Sequence, residues 1–232
     1  MPWYWTAILW SPVIFTTQSL FLDTILLHAW PHQTFIADCL RRGDPPLWNP
    51  FIAFGHPIWA NPQTFPGNPM ALPFHVWTFA TGLRATLLVN TMLAALGAWL
   101  AARRLGLPRR GAWLAALVYS GNGFFILHAG FLSNLGGLAL LPWLFVPNLR
   151  TRLGIVAAGL TGALLLLGGH PQLTLSAILL RVFLPPRAHL SRWAWASVLA
   201  TARTGAHLLP AAKLYPSLAR AAGLSYDASR DC

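Results

Sequence analysis

The sequence predicts an all-α protein: a polytopic transmembrane helical bundle of about seven spans, with a long external first loop carrying short interfacial helices. Three observations lead there. Hydrophobic residues make up 56% of the 232-residue chain and charged ones only 9%, with a mean hydropathy of +0.53, whereas a soluble domain carries about 25% charged residues. The acidic residues number five, all of them Asp, too few to help cover a water-facing surface. Sixteen Lys and Arg against those five give a net charge of +11, but they sit in short clusters between long apolar runs. That pattern marks membrane topology rather than a nucleic-acid face, so the expected partner is a lipid bilayer and no nucleic acid.

The apolar runs fall at 3–22, 84–102, 111–128, 132–149, 153–168, 172–184 and 193–209. A span needs about 20 mostly apolar residues, fewer inside a bundle; the sixth run is short and contains Arg181. The first run follows an N-terminus, Met1-Pro2-Trp3-Tyr4-Trp5, that lacks a basic flank and a small-residue cleavage site, so it reads as a retained span rather than a signal peptide. Basic residues then set the orientation. Arg103, Arg104, Arg109 and Arg110 lie between spans two and three, Arg150 and Arg152 between four and five, and Arg187 and Arg192 between six and seven. The positive-inside rule makes those loops cytoplasmic. The N-terminus is then cytoplasmic, and 23–83, 129–131, 169–171 and 210–232 face out. Residues 1–232 read as one transmembrane domain.

The external segment 23–83 holds three of the five acids and is rich in Pro, Trp and Asn. Within it, His32–Arg42 sets Phe35, Ile36, Cys39 and Leu40 on one face, with Gly43 as a C-cap: an interfacial helix. Pro45-Pro46-Leu47-Trp48-Asn49-Pro50, Gly55-His56-Pro57, Asn61-Pro62 and Asn68-Pro69 are turn chemistry. A second surface helix is expected over 70–80. Trp48, Trp59 and Trp77 suit the headgroup belt. Cys39 and Cys232 are too few for a disulfide framework.

Candidate chemistry gathers on the outer side. Asp23 follows the first span; a carboxylate there is either functional or a solvated boundary residue. Asp38 and Asp44 read as structural. His28 and His32 have metal-binding i, i+4 spacing, but Pro31 lies between them and pushes the preceding residue out of the helical region, so the pair is not expected to share a face. Gly168-Gly169-His170-Pro171-Gln172 is a tight turn whose glycines and proline are explained by the bend, while His170 and Gln172 are not. His128 ends span three on the same side. Arg84, Arg203 and Arg220 lie towards the outer side against the charge rule, either snorkelling or contacting a phosphate. No P-loop, Rossmann glycine pattern, nucleophile elbow or zinc motif is present.

The order Asp23, Pro31, an amphipathic helix ending Leu40-Arg41-Arg42-Gly43, then Pro46-Leu47-Trp48-Asn49-Pro50 resembles the bacterial YfhO-like membrane proteins. So do Gly55-His56-Pro57, Ala60-Asn61-Pro62-Gln63, Pro66, Arg103-Arg104-Leu105-Gly106-Leu107, the Gly169-His170-Pro171-Gln172 turn, and Leu208-Leu209-Pro210 with Gly223-Leu224-Ser225-Tyr226. The likeness runs over nearly the whole chain. It implies the GT-C fold of polytopic glycosyltransferases in a bacterial inner membrane. The reaction implied is transfer of a sugar from a polyprenyl-phosphate donor to a cell-envelope polymer on the outer side.

Asp23 matches the family's Asp after span one and is implied to be catalytic base or ligand of a divalent cation, Mg or Mn. His28, Trp48, Asn49, His56, Asn61, Gln63, Arg84, His170, Gln172 and Arg220 are the implied substrate-binding residues. Members of the family are longer, with further spans and a soluble C-terminal part, so the chain is expected to be an N-terminal fragment, incomplete as an enzyme. Two rivals stand beside the enzyme. An inactive fragment is one. The other is a transporter or flippase of lipid-linked sugars, which needs ionisable groups at the bilayer midplane; only Arg181 and Arg203 lie well inside spans.

Overall fold

The computed structural model of the chain describes residues 2–15, 24–52, 55, 57–64, 67–168, 171–183 and 190–214, and every regular element among them is helical. The N-terminal segment forms α1 (Pro2–Leu9) and α2 (Ser11–Phe15), where one unbroken span was expected over 3–22. Pro12 supplies the reason: it lacks an N–H and its ring crowds the carbonyl four residues back. Residues 16–23 lie outside the described part. Trp10, at the break, donates its indole N–H to Thr91 Oγ1 at 2.8 Å, tying this segment to the next long helix.

The helix expected over His32–Arg42 is α3 (Trp30–Arg42), preceded by a π-helical turn, Ile25–Ala29. Gly43 ends it at φ 79°, in the left-handed region that favours glycine. The amide of Gly43 donates to Leu40 O and that of Asp44 to Cys39 O, the paired bonds of a Schellman cap. Its buried face is His32, Gln33, Ile36, Ala37 and Cys39, while Leu40 is exposed. The burial is thus rotated from the expected apolar stripe and takes in two polar side chains. The second surface helix is short, α4 (Leu72–Val76).

Two long helices then form an antiparallel hairpin. α5 (Phe79–Arg104) starts at a Thr78 cap and closes at Gly106, φ 89°. Pro108 opens α6 (Arg109–Gly121), and Asn122 restarts the chain as α7 (Gly123–Leu127) by accepting the Phe125 amide at 2.9 Å. α8 (Leu132–Leu140) tightens into a 3-10 turn, Leu141–Phe145, at Pro142. α9 (Arg152–Leu167) begins at a Thr151 cap. α10 (Pro171–Phe183) and α11 (Leu190–Leu214) complete the described part. The expected runs from 84 to 209 therefore each coincide with helix, with breaks at Asn122 and Pro142.

Packing uses small residues. Ala112, Ala116 and Ser120 are the buried positions of α6, and Ala196, Ala200 and Thr204 are buried on α11. A Cβ on Gly159 of α9 would meet Ala196 O and Leu199 Cβ at 3.1 Å each, and one on Gly162 would meet Ala200 Cβ at 3.2 Å. Backbones approach this closely in membrane bundles, where lipid removes the drive to bury large side chains. Other large apolar residues point outwards: Val89, Met92 and Leu96 on α5, Leu114, Leu117 and Val118 on α6, Leu153, Val156 and Leu160 on α9, while Leu83, Leu87 and Leu165 are buried. Two helices, Phe79–Arg104 and Arg109–Gly130, are long and apolar enough to cross a membrane.

Candidate functional site

The site is a cavity of about 80 Å³ enclosed by three separate stretches of chain. Thr24, His28, His32 and Gln33 come from the π turn and α3, Gln63 and Thr64 from the external segment, and Gly130 to Ser133 from the start of α8. Its polar groups are amides, imidazoles and hydroxyls. It also meets the first turn of α8, which no side chain caps and which therefore presents partial positive charge.

Pro31 does not separate the histidines, contrary to expectation. It occupies the first turn of α3, where no N–H is needed, and the π turn before it carries the helix through, with the Trp30 amide donating to Ile25 O. The rings of His28 and His32 lie 4.4 Å apart at 47°. His32 Nδ1 donates to the His28 carbonyl at 2.7 Å, since a carbonyl oxygen can only accept. Single-turn π bulges are frequent at functional sites.

Gln33 is the residue the sequence reading passed over. It is 2% exposed; its Nε2 donates to Thr64 O at 3.0 Å, while its Oε1 is buried with no hydrogen-bond partner. A buried acceptor left unmet costs about 1–3 kcal/mol, so this position is suited to a ligand that brings a donor. Thr64 is held in turn by hydrogen bonds from its hydroxyl to Ile58 O and Asn61 O, both at 2.8 Å. A signal for Gln33 did exist: Ala29, Ile36 and Ala37 define the buried face, and Gln33 falls inside it.

Of the sequence-predicted residues, the structure brings His28 and Gln63 together in this cavity. The others have different surroundings. Asn49 is buried and its Oδ1 accepts the Phe51 amide at 2.9 Å; Asn61 Oδ1 accepts the Gln63 amide at 3.0 Å. Both side chains thus close turns. Trp48, 55% exposed, lays its indole on Gly55, whose φ of 113° and lack of a Cβ make room for it. Arg84 is half-buried on α5, and Gln172 is exposed on the first turn of α10. Asp23, His56, His170 and Arg220 lie outside the described residues. Thr24, the residue after Asp23, lines the cavity.

For a divalent cation, the described residues are a poor fit. No group of three or more His, Cys, Asp or Glu side chains is assembled among them, and the cavity's own candidates are two imidazoles rather than the hard oxygens that Mg and Mn prefer.

Fold and site together define a helical protein with two helices long and apolar enough to cross a membrane and a small polar cavity. No family model matches the chain, and neither a curated protein nor a solved structure does.

Proposed function

We propose that the chain is the N-terminal region of a YfhO-like, GT-C-type membrane glycosyltransferase, crossing the bacterial inner membrane about seven times with its N-terminus in the cytoplasm. The observation that carries this reading is the cavity, in which His28 and Gln63 meet His32, Gln33 and Ser133 directly after the position of Asp23. At about 80 Å³ the enclosure is below the roughly 300–1,000 Å³ of whole-ligand sites, and its amides, imidazoles and hydroxyls suit one hydroxyl-bearing edge of a sugar. The outward-facing leucines and valines, with small residues between the helices, support a lipid surrounding.

In this proposal Asp23 takes the proton from an acceptor hydroxyl as that oxygen attacks the anomeric carbon. The bond from that carbon to the phosphate oxygen breaks, and polyprenyl phosphate leaves with the electron pair. Arg84 or Arg220 holds the phosphate by charge-assisted hydrogen bonds, and His170 and Gln172 face the sugar. Rate comes from proton transfer and positioning.

The test is transfer itself. Membranes containing the full-length protein that carries this region, given polyprenyl-phosphate radiolabelled sugar, are expected to move label into envelope polymer above the level of membranes without it. Movement of the intact lipid-linked sugar across the bilayer, with no label in polymer, would establish the transporter reading instead.

A further inference from the structure

We infer that the cleft between α3 and the beginning of α5 binds a pyranose ring of a neutral glycan, stacked on Trp30 and Trp77. The cleft encloses about 340 Å³, within the usual range for small-molecule sites of about 300–1,000 Å³. One wall is aromatic and rigid. The Phe79 ring stacks on Trp30, with centroids 5.2 Å apart and planes 10° apart, and on Phe74 at 5.3 Å and 27°. Phe79 of α5, itself packed on Phe74 of α4, thus lies against the Trp30 ring. Trp30 and Trp77 still leave 49% and 50% of their surface open.

Gln33, Thr34 and Arg41, on the same helix as Trp30, bring polar groups to the cleft. Asp38 holds the Arg41 guanidinium at 2.9 Å, so this donor has a preferred position. A pyranose presents an apolar C–H face and a rim of hydroxyls, and this cleft offers aromatic surface beside hydrogen-bonding groups.

Gln33 separates a sugar from a lipid chain as the occupant. Its Oε1 is buried and has no hydrogen-bond partner, and it lines both this cleft and the polar cavity. An acyl or prenyl chain brings no donor to that oxygen; a sugar hydroxyl does. The inference rests on the glycosyltransferase reading in one respect: the ring in the cleft is taken as the neighbour, within the acceptor glycan, of the unit whose hydroxyl edge meets the cavity.

The experiment titrates the full chain, reconstituted in phospholipid nanodiscs, with tetrasaccharides of glucose, galactose and N-acetylglucosamine, using calorimetry and saturation-transfer NMR. Saturable binding of at least one is expected. Trp30→Ala and Trp77→Ala should each weaken it roughly tenfold, the size of one lost aromatic contact, and Gln33→Leu should weaken it as well. Trp77 sits on the rim, so its variant tests the cleft even if replacing buried Gln33 disturbs folding. No saturable binding of any of the three would overturn the inference. So would unchanged affinity in both Trp variants at wild-type elution volume, or quenching by brominated phospholipid tails that the sugars do not relieve. Because the readout is binding, a protein that binds glycan without transferring sugar removes the catalytic reading alone, and one that transfers sugar with no tetrasaccharide binding removes this inference alone.

Discussion

Replacing Asp23 by Asn is expected to lower sugar transfer by roughly 10²–10⁴-fold, the usual worth of a positioned general base, at unchanged protein level in the membrane. The amide keeps the shape of the side chain but cannot accept the acceptor's proton. Asp38→Asn and Asp44→Asn are the controls. Asp38 pairs with Arg41 on an exposed face at 2.9 Å, and such pairs contribute only about 0–1 kcal/mol. Asp44 serves the Schellman cap through its backbone amide, which Asn keeps. Both variants should retain most of the activity. Full transfer by the Asp23→Asn protein, measured with the same radiolabelled donor, would end the role assigned to this residue.

The second large effect concerns stability. Gly154→Ala is expected to destabilise the protein by about 3 kcal/mol, the upper end of ordinary overpacking, and to lower the apparent thermal midpoint in detergent by roughly 6–12 °C. A Cβ there would run into the carbonyl of Asn148. That carbonyl cannot readily yield, because it accepts both the Thr151 amide, at 3.1 Å, and the Thr151 hydroxyl, at 3.0 Å, while Thr151 Oγ1 accepts the Gly154 amide. The whole α9 cap would have to move. Gly205 on α11 has nothing within 4 Å of its Cβ position, so Gly205→Ala should leave stability unchanged or raise it by up to about 1 kcal/mol through helix propensity. Equal midpoints for the two variants would show that the 148–154 turn is not rigid.

Features fixed by neighbouring residues were legible in the sequence. The Gly43 cap follows from a helix meeting the one residue at ease with positive φ, and the positions of α5, α9, α10 and α11 follow from apolar runs bounded by Arg, Pro and Gly. Interruptions inside spans were missed, because mean hydropathy smooths over Pro12, Asn122 and Pro142. The histidine pair was misread because the effect of a proline depends on where in a helix it falls: Pro31 stands at a helix start. The tilt of the buried face of α3 towards His32 and Gln33, away from Leu40, is a tertiary effect, set by the loop at 61–64 and by α4 and α5 packing against α3. Ser133 carries no local signal at all. It joins the cavity because a turn about a hundred residues later in the chain folds back on α3, and periodicity does not report such separations.

The central claim is that the cavity lies on the outer face of a membrane bundle, and paired topology reporters test it most directly. One reporter is fused after Pro66, beside the Gln63 wall, and the other after Arg110, at the turn of the α5–α6 hairpin. The account predicts that the first reads external and the second cytoplasmic. The reverse pair, or the same side for both, would contradict it and remove Asp23, Arg84, His170 and Arg220 from any shared outer site.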